Sequence, residues 1–280
     1  MLLRPRRLVV SAIASTTVAL GLGAGALGSS AGTASTIIEH PVLALATNGA
    51  HANSTVQSSN WAGYDEGLLD TSTPFTSISA EWTIPTASQH TAGQAESSAT
   101  WVGIGGGCVD MTSGCAVGDE TLIQAGTEQD VSASGTASYS AWWEVLPAPS
   151  LTASVTVNPG DEVSVSITGP VLWTIDFKDL TNGNSFTESV PYPSPMDTAE
   201  WIEEAPVVIS TSGSASAGEA TLPNLTAADF QLATLNGKSP RLVPAYEIQM
   251  VSSTGQVLAT PSAPTSGGNG FNVCTYASTC

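Results

Sequence analysis

Ser77-Ile-Ser-Ala-Glu-Trp-Thr-Ile84 alternates strictly, with Ile78, Ala80, Trp82 and Ile84 on one side of an extended chain and Ser77, Ser79, Glu81 and Thr83 on the other. A period of two marks a strand with one face buried and one face polar. The same alternation recurs in Leu151, Ala153, Val155 and Val157, a run that turns at Asn158-Pro159-Gly160-Asp161 and returns as Val163, Val165 and Ile167. Trp173-Thr-Ile-Asp-Phe-Lys178 turns at Asn182-Gly183 and returns through Phe186 and Val190, and Ala245 to Val251 adds a late strand. Only Ala227 to Thr234 has the composition of a short helix. Many short antiparallel strands joined by turn residues predict an all-β fold, an antiparallel two-sheet β-sandwich of jelly-roll type with one polar face free to bind a ligand.

The N-terminal segment reads differently. Arg4, Arg6 and Arg7 precede an apolar, Ala/Gly-rich stretch from Leu8 to Leu27. That is the plan of an export signal, so residues 1–34 are expected to be removed and the protein to be secreted. Small residues suited to cleavage recur at Ala24-Gly25-Ala26, Ser29-Ser30-Ala31 and Gly32-Thr33-Ala34, which leaves the scissile bond open. The stretch is too rich in Gly, Ser and Thr for a membrane span of ~20 strongly apolar residues, so no membrane partner is expected after signal removal. Residues 35–56 are small, polar and poorly patterned; they contain His40 and His51 and read as a short propeptide or flexible arm. Residues 57–280 read as one domain without a fixed repeat, expected to act as a monomer.

The formal charge of the 280-residue chain is −18. Without residues 1–34, only Lys178, Lys238 and Arg241 face 24 acidic residues, for a charge of −21. Nucleic acid and anionic membrane are poor partners for such a surface. As pH falls toward the carboxylate pKa of about 4 this charge is titrated away, which fits an acidic working environment. Cys108, Cys115, Cys274 and Cys280, in an exported chain, predict disulfides rather than metal ligands. Of three possible pairings, the local one closes two small loops in Gly/Ser-rich surroundings.

Elimination narrows the chemistry. Beyond the leader and arm, His90 is the one histidine left, in the polar loop Gln89-His90-Thr91. A Ser-His-Asp or Cys-His site would rest on it alone, and a zinc site would lack its usual ligands. Lys178 and Lys238 sit in exposed-looking settings, and no Asp-Thr-Gly string occurs, the nearest being Asp70-Thr71-Ser72. Carboxylates, amides and tryptophans remain. They concentrate in Trp101-Val-Gly-Ile-Gly-Gly-Gly107, Leu122-Ile-Gln124-Ala-Gly126-Thr-Glu128 and Ala199-Glu200-Trp201-Ile202-Glu203-Glu204. Glu203 and Glu204, being adjacent, must point to opposite faces of a strand, and alternation alone does not choose between them.

Five strings in order carry a resemblance: Ser59-Asn60-Trp61-Ala62-Gly63, Ala99-Thr-Trp101-Val-Gly-Ile104, Leu122-Ile-Gln124-Ala-Gly126, Tyr139-Ser-Ala-Trp142-Trp143-Glu144, and Ala199 to Glu204. Over residues 56 to 250 the chain resembles the glutamic peptidase (eqolisin) family, in a bacterial-type branch. The resemblance implies a concanavalin-like sandwich with the site on its concave face, and an acid endopeptidase acting on polypeptides without metal or cofactor. It identifies Gln124 and Glu204 as the catalytic pair, and Trp101, Trp142 and Glu144 as residues that line the site and bind substrate. Fungal relatives carry Asp where Gly105 and Ser140 stand, so the support around the dyad must differ here. Residues Cys108 to Glu120 resemble an insertion, and no cysteine precedes Ala199 to make the long-range disulfide of the fungal branch.

The two side chains suit that chemistry. A carboxylate at Glu204 can deprotonate water and return the proton to a leaving amine, and the Gln124 amide can donate to an oxyanion. The rival is a carbohydrate-binding jelly roll or a glycosidase, with tryptophans stacked on sugars and two carboxyl groups ~5–9.5 Å apart. Neither rival needs Gln124.

Overall fold

The computed structural model describes residues 36–47, 55–210 and 216–280, all within the unit Ala34–Cys280. The expected export signal and His51 lie outside the described residues. Among these no helix is long and apolar enough to cross a membrane.

The expected β-sandwich is present. One layer is ordered Glu247–Val251, Trp61–Gly67, Thr198–Glu204, Glu96–Ile104, Ile123–Val131 and Ala137–Val145. The other is ordered Ser185–Pro191, Leu172–Asp179, Glu162–Thr168, Ser77–Thr83 and Ala228–Leu235. Strands Phe271–Thr275 and Val257–Pro261 carry the hydrogen bonding from one layer into the other, so 15 strands form a single folded-over network. Alternation puts Ile78, Ala80 and Trp82 of one layer against Val102, Ala125 and Trp201 of the other in a continuous core. Two polar tips cross it: Trp82 Nε1 donates to Thr127 Oγ1 at 3.2 Å and Trp201 Nε1 to the Ser79 carbonyl at 3.0 Å. A buried indole N–H left unpaired would cost about 1–3 kcal/mol, so these bonds also hold the layers in register.

Leu172–Asp179 and Ser185–Pro191 form the expected hairpin, with Phe177 opposite Phe186. Two expectations are corrected. In the alternating run 151–157 only Leu151–Thr152 is a strand, paired with Trp143 and Trp142. The chain there leaves one layer for the other, and alternation reports which side is buried, not whether a neighbouring backbone is in reach. Ala227 to Thr234 is no helix, because Ala228–Leu235 is a strand paired with Ser77–Thr83. A bulge between Gln231 and Thr234, with Leu232 at φ 48°, shifts the buried positions from Ala228 and Phe230 to Ala233 and Leu235. The extra residue breaks the period of two and mimics helical spacing.

Cys108 is bonded to Cys115 and Cys274 to Cys280, so both bridges are local.

Candidate active site

Four adjacent strands present one face away from the core. In register, Glu204, Ala99, Glu128 and Ser140 form one row; Ile202, Trp101, Gly126 and Trp142 the next; Glu200, Gly103, Gln124 and Glu144 the third. Because successive side chains alternate, every residue in these rows shares that face, and Glu203 must enter the opposite one. It does: Glu203 accepts from Thr100 Oγ1 at 2.6 Å. Burial pushes its carboxyl up to about 8. Trp61, Trp101, Ile202, Leu122 and Trp142 give the face an apolar floor.

The five sequence-derived site residues all lie on this face and all are buried. Trp101 Nε1 donates to Glu204 Oε2 at 2.9 Å, and Trp101 is braced edge-on by Trp61, ring centres 4.9 Å apart. Gly126 makes room for that tryptophan, since a Cβ there would lie 2.2 Å from the Thr100 carbonyl oxygen and 2.5 Å from Trp101 Cβ. Gln124 Nε2 donates to Glu144 Oε2 at 2.7 Å, which fixes the amide so that its nitrogen, not its oxygen, faces this side. Burial pushes the Glu144 carboxyl up to about 8. Burial also raises Glu204, opposed by the charge of His40 and by the Trp101 donor. Glu204 Oε1 and Gln124 Oε1 are buried and bonded to no described group, so each keeps an acceptor for a small polar molecule.

Gln124 and Glu204 do not bond each other directly. His40 joins them. Its Nδ1 lies 3.0 Å from Glu204 Oε2, its Nε2 3.2 Å from Glu128 Oε2, and its backbone carbonyl accepts from Gln124 Nε2 at 2.8 Å. The ring is stacked on Trp142, 3.6 Å between centres and 7° from parallel. Sequence reasoning missed both His40 and Glu128. Setting residues 35–56 aside with the leader removed His40 from consideration, and the loop residue His90 instead stacks on Tyr276 and bonds Asn224. Glu128 was legible, standing four residues after Gln124 and so on the same strand face.

Gly105 has φ 94°, and a Cβ there would lie 2.1 Å from the Thr121 carbonyl oxygen, so this backbone admits no side chain at that position.

Residues 59–273 match the sequence profile of the peptidase A4 family. The fold is similar to the crystal structure of scytalido-glutamic peptidase with a transition state analog inhibitor, at TM-score 0.58 and 19% identity, covering 78% of this chain and 98% of that one. It is similar also to SCP-B, a member of the eqolisin family of peptidases in complex with the tripeptide Ala-Ile-His, at TM-score 0.55 and 21% identity over the same shares. No curated protein matches the chain.

Proposed function

The chain belongs to the peptidase A4 family, the glutamic-type endopeptidases, and from that premise we propose that Gln124 and Glu204 are its catalytic pair in an acid, extracellular hydrolysis of polypeptides. One observation carries the assignment of roles: a peptide carbonyl, that of His40, already accepts from Gln124 Nε2, while the same residue's ring reaches Glu204.

In the reaction, a substrate carbonyl takes the place of the His40 carbonyl. Glu204, ionised, takes a proton from a water held at its free Oε1, and the hydroxide adds to the carbonyl carbon. The Gln124 N–H meets the oxygen as it becomes negative, where one donor is worth about 10²–10³ in rate. Glu204 then passes its proton to the amine nitrogen as the C–N bond breaks, which regenerates the carboxylate and consumes one water. Trp101 and Trp142 line the reacting groups and exclude bulk water. Burial raises the Glu204 carboxyl, and the charge of His40 and the Trp101 donor oppose that rise. Residues 36–47 cross this face as a continuous peptide from the Val207–Ser210 edge to Gly106, an arrangement that suits an endopeptidase. Secretion rests on residues 1–34 and on the acidic composition.

Digestion of an unfolded protein at about pH 3, with fragments sequenced, tests the reading. Internal cuts that vanish in Glu204→Gln are expected; cuts that persist unchanged in that variant overturn the assignment.

A further inference from the structure

The third row of the cleft face has one more member. Asp65, on Trp61–Gly67, stands directly opposite Glu200 in register, so the row runs Asp65, Glu200, Gly103, Gln124, Glu144. The Trp101 ring and Leu122 fill the space above Gly103, where a Cβ would meet them at 2.9 and 3.0 Å, and so divide the Asp65–Glu200 end from the Gln124–Glu144 end. Asp65 and Glu200 are both fully buried. Asp65 Oδ2 accepts from the Cys108 N–H at 2.6 Å, whereas Asp65 Oδ1 and both oxygens of Glu200 are bonded to no described donor. Near Glu200 the Gly107 N–H donates instead to Thr198 Oγ1, at 3.1 Å. No cation serves the pair: among the described residues His40 alone forms an ion pair, with Glu128 and Glu204. The charged groups that face it, Glu66 on the strand of Asp65, Asp70 just beyond and Asp119 of the following loop, are all acidic. Two buried carboxylates opposed across a sheet in such a setting repel, so one carries a proton and donates it to the other.

Residues 105–108 form a turn that covers this pair. The Gly107 backbone rests on the Asp65 carboxyl, since a Cβ at that position would lie 2.4 Å from Asp65 Oδ2. The Gly105 N–H donates to the Thr198 carbonyl at 3.0 Å, and the Gly107 carbonyl accepts from the Asp119 N–H at 3.0 Å. On its other side the turn meets the cleft twice. Gly106 packs on the Trp61 ring, which a Cβ there would meet at 3.1 Å, and Trp61 braces Trp101, the donor to Glu204. The Gly106 carbonyl accepts a peptide N–H, that of Leu43, at 3.0 Å.

Resting on the catalytic reading above, we propose that Asp65 and Glu200 are positioning residues that share one proton and, while they keep it, hold residues 105–108 in place to seat Trp61 and a bound peptide backbone. Loss of that proton releases the turn and switches turnover off as pH rises. Neither carboxyl touches the substrate. Burial holds both acids well above the ordinary carboxylate range. At Asp65 the Cys108 donor opposes burial, the charges of Asp70 and Glu66 add to it, and the hydrogen bond with Glu200 opposes it; at Glu200 the charge of Asp65 adds. An acid whose folded pKa exceeds its unfolded one stabilises the fold fully below the ordinary value and loses that contribution as pH rises through the folded value. The clamp is therefore closed in acid and opens above the carboxylate range. Full ionisation sets two charges side by side under an apolar wall, and water reaches them only when the turn that covers them lifts.

The test compares the parent chain with Glu200→Gln and Asp65→Asn, in which an amide donates to the remaining carboxyl and has no proton to lose. Turnover of a quenched peptide is followed well below the melting temperature. Between about pH 4 and about pH 8 it is expected to fall reversibly in the parent, with KM rising. Each variant should keep at the higher pH a share of its acid turnover about tenfold or more larger than the parent's share. Glu203→Gln removes a buried acid from the other face of the same strand and should fall as the parent does. Amide exchange followed by mass spectrometry gives a readout that needs no catalysis. Protection of residues 105–108, corrected for the intrinsic effect of pH, is expected to be lost in the parent as pH rises and kept in the variants. Parallel falls in the parent and both variants overturn the proposal, and so does an equal gain in Glu203→Gln, which would make the effect one of global stability. Protection of residues 105–108 that stays constant with pH in the parent overturns it whether or not the variants fold. If no chain hydrolyses peptides, yet that protection is lost with pH in the parent alone, the clamp stands and it is the catalytic reading that fails.

Discussion

The amide nitrogen of Gln124 donates to the Glu144 carboxyl over 2.7 Å, from directly opposite positions on neighbouring strands. Glu144 thus decides which end of the Gln124 amide lies on its side. Glu144→Gln keeps an acceptor for that N–H and is expected to lower kcat only a few-fold. Glu144→Leu frees the amide to turn and should lower kcat by about tenfold or more with little change in KM, since the lost donor acts on the transition state. Gln124→Ala sets the scale, at about 10²–10³. Steady-state kinetics on a quenched peptide check the order; a Glu144→Leu enzyme with full kcat contradicts the positioning role.

Glu203 and Glu204 are neighbours on opposite faces, and their isosteric variants should part accordingly. Glu204→Gln removes the proposed base and is expected to abolish nearly all turnover. Glu203→Gln leaves the cleft untouched and should retain turnover. Its effect is on stability. With a folded pKa of about 8, Glu203 favours the fold fully below its ordinary value of 4.5, and that contribution is lost as pH rises through about 8. Glu203→Gln should therefore melt like the parent in acid and above the parent at pH 8 or higher. A dead Glu203→Gln beside a live Glu204→Gln reverses the assignment.

Gly126→Ala tests the seat of Trp101. The new methyl meets the Thr100 carbonyl and Trp101 Cβ, which are backbone and near-backbone atoms that cannot swing aside. A loss of about 1–3 kcal/mol of stability is expected, together with reduced kcat as Trp101 shifts off Glu204. Native melting with native kinetics would show that the strand relaxes freely there.

Acid should favour the whole fold. Asp65 and Glu200 are both buried, and burial raises both; the charges of Asp70 and Glu66 add to the rise at Asp65, and the charge of Asp65 adds to the rise at Glu200. Burial also lifts Asp130 to about 6, Glu66 to about 7 and Glu144 to about 8. Each is an acid whose folded pKa exceeds its unfolded one, so its stabilisation is complete below about pH 4 and is lost as pH rises through 6 to 8. His40, charged below about 10, does not oppose this trend. The melting temperature should be higher at pH 4 than at pH 8, by about 2–4 °C for each kcal/mol lost. Glu200→Gln should narrow the gap. Equal or higher stability at pH 8 contradicts the account.

Much of this molecule follows from local chain geometry. The period of two in Ser77 to Ile84 depends only on the strand's own backbone, so it could be read without a partner. The same parity places Gln124 with Gly126 and Glu128, and Glu204 with Ile202 and Glu200. What parity does not carry is the neighbour. Leu151 to Val157 alternates yet has almost no strand beside it, and the bulge at Leu232 disguised a strand as a helix, because a bulge is imposed by pairing with another strand.

The site divides in the same way. The residue types of the proposed pair could be read because few other groups in the chain can hydrolyse a peptide, and the family resemblance carried by five strings identified Gln124 and Glu204. Their meeting was not legible. It depends on Thr198–Glu204, distant in sequence, pairing beside three successive strands and so bringing Glu204 onto the face of Trp101, Gln124 and Glu144. Least legible was His40, 164 residues from the carboxylate it touches and set in a segment with no pattern of its own. Its place is decided by a ready-made edge at Val207–Ser210, a flat Trp142 and two buried carboxylates. A strand's alternation is written in adjacent residues, whereas a pocket's demand for a cation exists only once the fold has brought its acids together.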